Sequence, residues 1–88
     1  MFSVAVDSPT PIRGLTGCFN VRPAGRTDAL ASALRRIRRD TGLGALAHHV
    51  DYHQRNAAGG LTVCYCVTLG RDGVPAARVR VVIGGGVA

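Results

Sequence analysis

Hydrophobic and polar residues alternate through Leu46-Ala47-His48-His49-Val50-Asp51-Tyr52-His53 and again through Leu61-Thr62-Val63-Cys64-Tyr65-Cys66-Val67-Thr68-Leu69. Ala77-Arg78-Val79-Arg80-Val81 follows after a tight turn. A period of two puts alternate side chains on opposite faces of a strand, so Leu46 to Val82 reads as a three-stranded antiparallel meander. Its core side is expected to carry Leu46, Val50, Tyr52, Leu61, Val63, Tyr65, Val67, Leu69, Val79 and Val81. The other side is expected to carry His49, Asp51, His53, Thr62, Cys64, Cys66, Thr68, Arg78 and Arg80.

Two shorter alternating runs precede the meander. Phe2, Val4 and Val6 predict a first strand, which Asp7-Ser8-Pro9-Thr10-Pro11 ends because proline cannot donate to a ladder. Cys18-Phe19-Asn20-Val21-Arg22 predicts a second, with Phe19 and Val21 inward. Between this strand and the meander the period changes. Leu30, Ala33, Leu34 and Ile37 form one apolar stripe at helical spacing, predicting a helix over about 28–40. Thr27 suits its N-cap, Asp28 suits the positive end of its dipole, and Gly42 suits its C-cap. Asn56 to Gly60 reads as a hairpin loop and Asp72-Gly73 as a tight hairpin turn. Pro75 suggests a last strand that starts late or lies at an edge.

These elements predict one small α+β domain spanning residues 1–88. Its antiparallel sheet has four to five strands, one helix covers one face, and the order is β-β-α-β-β-β. A loose glycine-rich tail is expected from about Gly84. Leu30, Leu34 and Ile37 would pack on the sheet, so that Leu34→Ala costs about 2–5 kcal/mol if the site is buried. The opposite face is left uncovered.

Composition changes this picture in two places. The net charge is +6, and all eleven basic residues are Arg and all five acidic residues Asp. A GC-rich coding sequence accounts for the Arg-only bias; the net charge is a separate matter, and it draws a small domain toward phosphate or acidic protein surfaces. The three cysteines are an odd number. Cys64 and Cys66, two apart on a strand with parallel side chains, are poorly placed for a disulfide. Reduced thiols point to the cytoplasm. No run approaches the ~20 apolar residues of a membrane span, and the first residues lack the features of a signal peptide.

Candidate chemistry on the polar face begins with metal. Were residues 52 and 63 opposite each other, His49 would face Cys66 and Asp51 would face Cys64, with Cβ atoms about 5 Å apart. His49 and His53 would lie about 13 Å apart, too far to share an ion. The feasible zinc set is therefore His49, Cys64 and Cys66, with Asp51 nearby. That spacing matches no standard zinc module, so neither metal nor cofactor is expected. The plainer reading is two small apolar fillers in a partly buried face. A cysteine nucleophile needs an activating base and an oxyanion site in a cleft, and a flat small sheet offers neither, so no enzyme activity is expected.

The arginines are the candidate partner-binding residues: Arg35, Arg36, Arg38 and Arg39 on the helix, Arg78 and Arg80 on the last strand. The helix group is the stronger candidate, because four charges within five residues repel one another and gain from an acidic partner. A solvated basic face is the plainer alternative. Tyr52 and Tyr65 are the only aromatic residues besides histidine in the meander, and alternation puts both on the core side, away from nucleic acid on the open face. An uncovered face or edge strand is also open to a symmetric homodimer.

The order strand, helix, three-stranded meander over residues 18–83, in a basic single-domain chain, resembles several small phage-encoded type I anti-CRISPR proteins. The resemblance is one of layout; no residue motif is shared. It implies a non-enzymatic inhibitor that sterically blocks a CRISPR surveillance complex, its charge directed at an acidic protein surface or a nucleoprotein. A basic nucleic-acid-binding module of a bacterial or phage regulator is the alternative, and a small zinc-binding domain a third.

Overall fold

A computed structural model describes residues 1–22, 28–55 and 60–85. The proposed N-cap residue Thr27, most of the loop from Asn56 and the end of the tail from Gly86 lie outside these residues. The expected α+β order holds: β1 (Phe2–Asp7), β2 (Cys18–Val21), α1 (Ala29–Thr41), β3 (Gly44–Arg55), β4 (Leu61–Arg71) and β5 (Val74–Gly85). The five strands form one antiparallel sheet in the order β2-β1-β5-β4-β3.

That order explains the helix. The chain leaves β2 at one edge of the sheet and re-enters as β3 at the other, so α1 must cross the sheet between them. It buries Ala29, Leu30, Ala33 and Ile37 against the alternating inward residues of the strands, namely Phe2, Val4, Val6, Phe19, Val21, Val67, Leu69, Val79, Val81 and Ile83. Leu34 packs only at the margin of this core. Ile37 and Ala33 sit deepest on the stripe.

The helix ends where its sequence predicts. Gly42 adopts φ 75° and donates its N–H to the Arg38 carbonyl at 2.8 Å. Thr41 Oγ1 donates to the Ile37 carbonyl at 2.7 Å and accepts from the Leu43 N–H at 3.1 Å. At the other end Asp28 is the N-cap, without a side-chain cap hydrogen bond. The connection from β1 to β2 closes against the helix C-terminus. Thr16 Oγ1 donates to Asp40 at 3.2 Å, and a side chain at Gly14 (φ 84°) would strike the Asp40 carbonyl.

Asp40 also receives Arg36 at 3.4 Å and Arg39 at 3.3 Å. Partial removal from water pushes its pKa up, but hydrogen bonds from Arg39, Arg36 and Thr16 outweigh this and hold it below the ordinary 3.8. A depressed folded-state pKa means that the stabilisation is whole above about 3.8 and is lost as pH falls through the lower folded value. Asp40→Asn should therefore melt below the unmodified chain at neutral pH, and the gap should close on acidification below that range. A gap that persists unchanged in acid would show that Asp40 acts by something other than its charge.

Three expectations are corrected by the sheet. β5 is central, not an edge, and it begins at Val74. Pro75 is tolerated because β1 ends at the Asp7–Arg80 pair, so only β4 flanks β5 at that point. The Asp72-Gly73 turn has positive φ at both residues (53° and 78°), as a two-residue hairpin of the primed type requires. Gly84 and Gly85 are not a loose tail; they pair with Ser3 and Phe2, and the Ser3 hydroxyl donates to the Gly84 carbonyl at 3.3 Å.

The third correction concerns β3. Leu46, Val50 and Tyr52 are not core residues; they are 40%, 52% and 46% exposed. The register of β3 on β4 slips between Ala45 and Ala47 and again between Val50 and Tyr52, leaving Leu46 and Asp51 as extra residues. Each bulge inserts one residue and turns the following side chains to the other face. After the second slip Tyr52 faces Cys64 rather than lying on the core side, and His53 pairs with Val63 on the helix side.

Candidate binding face

The sheet face opposite the helix can be laid out from the strand registers, because directly paired residues share a face. One row runs Asn20, Ser3, Gly84, with Thr62 and Gln54 paired beyond it. The Thr62 and Ser3 hydroxyls flank the side-chain position of Gly84. The next row runs Cys18, Ala5, Val82, Cys64, Tyr52. A third runs Asp7, Arg80, Cys66, His49, and a fourth Arg78, Thr68, Ala47. The face is thus small and polar at one end, lined by small residues in the middle, and charged at the other.

At the charged end the surface is concave. A groove of about 570 Å³ is lined by Asp7, Pro9, His49, Cys66, Thr68, Arg78 and Arg80, with Val67 and Val79 beneath. Arg80 sits beside Asp7 in the register and makes an ion pair with Asp51 at 3.3 Å. Arg78 is exposed and has no ion pair among the described residues. The groove therefore presents one guanidinium without an ion pair among the described residues, a second paired with Asp51 and beside Asp7 in the register, and the His49 imidazole. Such a set can grip a carboxylate or phosphate by bidentate hydrogen bonds.

The helix arginines stand differently. Arg36 lies over the Phe19 ring, 4.8 Å from its centre, and shares Asp40 with Arg39. Arg35 donates to the Ser32 hydroxyl at 3.0 Å. Arg38 is exposed, with no side-chain partner among the described residues. Asp40 thus offsets part of the mutual repulsion among the four charges, through Arg36 and Arg39. The two arginine groups lie on opposite faces of the sheet, as the alternation predicts.

The thiols are all free: Cys18 exposed, Cys66 partly buried, Cys64 buried to 1% exposure. Cys64 is buried although it faces away from the helix. Burial pushes its pKa up, and Asp51 and Cys66 add to the rise; Arg80 and a hydrogen bond with Tyr52 oppose it. A thiol so placed is a poor nucleophile and a poor metal ligand. His49 does lie opposite Cys66, but Tyr52, not Asp51, lies opposite Cys64. Among the described residues no three of His, Cys, Asp or Glu converge in a way that would hold a metal ion.

Alternation misplaced Tyr52 and His53, and Tyr52 is the one that joins the open face. The bulge at Asp51 brings its ring onto the open face, between the polar row and the charged groove. Nothing in the local sequence marks the bulge, because Val50-Asp51-Tyr52 alternates as a regular strand would. Among the described residues no helix is long and apolar enough to cross a membrane. No protein-family model matches the chain, and neither the curated proteins nor the solved structures compared with it give a match.

Proposed function

We propose that the chain is a non-enzymatic binding protein that receives an anionic segment of a macromolecular partner on its open sheet face, with Arg78 and Arg80 as the anchoring residues. The observation that carries this reading is the groove at the charged end of that face, where Arg78 has no ion pair among the described residues and Arg80 is held by Asp51. A flat uncovered sheet with one charged concavity suits docking better than turnover. The layout resemblance supplies the partner class: a phage-type anti-CRISPR inhibitor that sterically blocks a CRISPR surveillance complex in a bacterial cytoplasm.

The second reading, binding of single-stranded nucleic acid, gains from one observation. Tyr52 is on the open face and 46% exposed, so the face offers a stacking ring beside arginine, histidine and small polar side chains. Retention of the partner across a salt series separates the two. Counterion release makes affinity for nucleic acid fall with a log–log slope of about −0.7 to −0.9 per phosphate contact. Capture of a protein complex that resists salt and survives Tyr52→Ala supports the inhibitor reading. A steep salt slope together with loss on Tyr52→Ala supports nucleic acid. Failure to retain any protein or nucleic acid at low salt counts against both.

A further inference from the structure

We infer that β3 is a self-pairing edge, through which two copies of this chain join antiparallel about a two-fold axis into one ten-stranded sheet. The two edges of the sheet are unequal. β2 offers four residues, whereas β3 offers twelve, Gly44 to Arg55, and pairs only with β4 among the described residues. At about 3.4 Å per residue the free edge of β3 runs about 40 Å, the whole 39 Å length of the molecule.

Its side chains are exposed on both faces at once. Val50 lies on the helix side opposite Tyr65, and Tyr52 on the open side opposite Cys64, yet each is about half exposed. Leu46, Val50 and Tyr52 are three of the five exposed large hydrophobic residues among the described residues. A partner seated on one face of the sheet would cover only one side of this set. A strand added in the plane of the sheet flanks both.

Charge points the same way. Exposed edges are ordinarily guarded against pairing by charged side chains. This chain has eleven arginines and places none between Arg39 and Arg55. The one carboxylate of β3, Asp51, is held in an ion pair by Arg80 of its own sheet. Among the described residues the bulges at Leu46 and Asp51, with Arg55 at the strand's end, are what guards the edge, and they leave Ala47–Val50 and Tyr52–Gln54 as two regular segments for a partner strand to follow. A second copy is the occupant that meets such an edge with an edge of equal length and matching neutrality. The contact along a 39 Å edge of a body 20 Å thick is at most about 800 Å² per partner, the size of a standard specific interface. A domain this small gains stability from such an association. The pairing is independent of what the open face binds, and it would set two Tyr52 rings on one continuous surface.

Native mass spectrometry and light scattering at tens of micromolar, where a micromolar dimer is mostly assembled, test the inference. The unmodified chain should show twice the 9.2 kDa chain mass. Val50→Arg should weaken the dimer at least about tenfold, ~1.4 kcal/mol, while Asn20→Arg, exposed on β2 at the opposite edge of the sheet, should leave it intact. A monomer for the unmodified chain overturns the inference, as does a folded Val50→Arg dimer. Should Val50→Arg fail to fold, amide exchange in the unmodified chain decides. Protection across 44–55 that rises with concentration supports the edge, and protection that is unchanged overturns it.

Discussion

Ile37→Ala should destabilise the fold by about 2–5 kcal/mol, the range for emptying a fully buried branched side chain. Ile37 is 1% exposed and belongs to the buried cluster that α1 shares with the sheet. A domain of this length has a total stability of about 0.05–0.15 kcal/mol per residue, so one such cavity removes a large fraction of it. At about 4–8 °C per kcal/mol, the melting temperature should fall by at least about 8 °C. Leu34→Ala, at the margin of the same stripe, should cost clearly less, because its side chain is already partly in water in the folded state. Thermal melts of the two variants side by side check this. Equal costs would mean that the helix is rotated about its axis relative to the packing described above.

The elements themselves were legible in the chain. Alternation marks every strand, the Leu30–Ile37 stripe marks the helix face, and Gly42 and Asp72-Gly73 mark its end and the last hairpin. Periodicity is a local signal, and what it missed is not local. The insertion of β1 beside β5 joins the two ends of the chain, and no pattern within either strand announces it. That insertion moves the centre of the core to β1 and β5 and leaves β3, which reads as apolar as the rest, on the outside. A bulge is invisible for a related reason. One extra residue at Asp51 changes which face Tyr52 occupies without changing the order of polar and apolar letters. The open face was therefore predicted correctly in His49, Cys64, Cys66, Arg78 and Arg80, but without its one tyrosine ring. His53, expected there, lies on the helix side. The buried state of Cys64 was missed as well, since it arises from the crowding of Tyr52, Asp51 and Arg80 around it rather than from the helix.

The arginine pairs carry the second large effect. Sequence alone favours the helix group as the partner-binding set; we favour the sheet group because Arg78 and Arg80 line one groove with His49, although each group holds an arginine without an ion pair among the described residues, Arg38 on the helix and Arg78 on the sheet. Arg78→Glu puts a negative charge at the mouth of the groove without breaking an ion pair within the chain. Adding Arg80→Glu also brings a third carboxylate beside Asp7 and Asp51, so the pair of reversals should turn the groove from attracting an anion to repelling it. Capture of the partner should fall at least about tenfold, equivalent to ~1.4 kcal/mol, and a charge pair desolvated on binding would raise the loss to ~2–5 kcal/mol. Reversing Arg35 and Arg39 to Glu should have a smaller effect. The most direct measurement is therefore capture from a host lysate by three forms of the chain in parallel: unmodified, reversed at Arg78 and Arg80, and reversed at Arg35 and Arg39. Each form is first confirmed to be folded by circular dichroism. Loss of the partner from the sheet-face variant alone is the predicted result. Full capture by that folded variant, with loss on the helix variant, would contradict the assignment of the binding face.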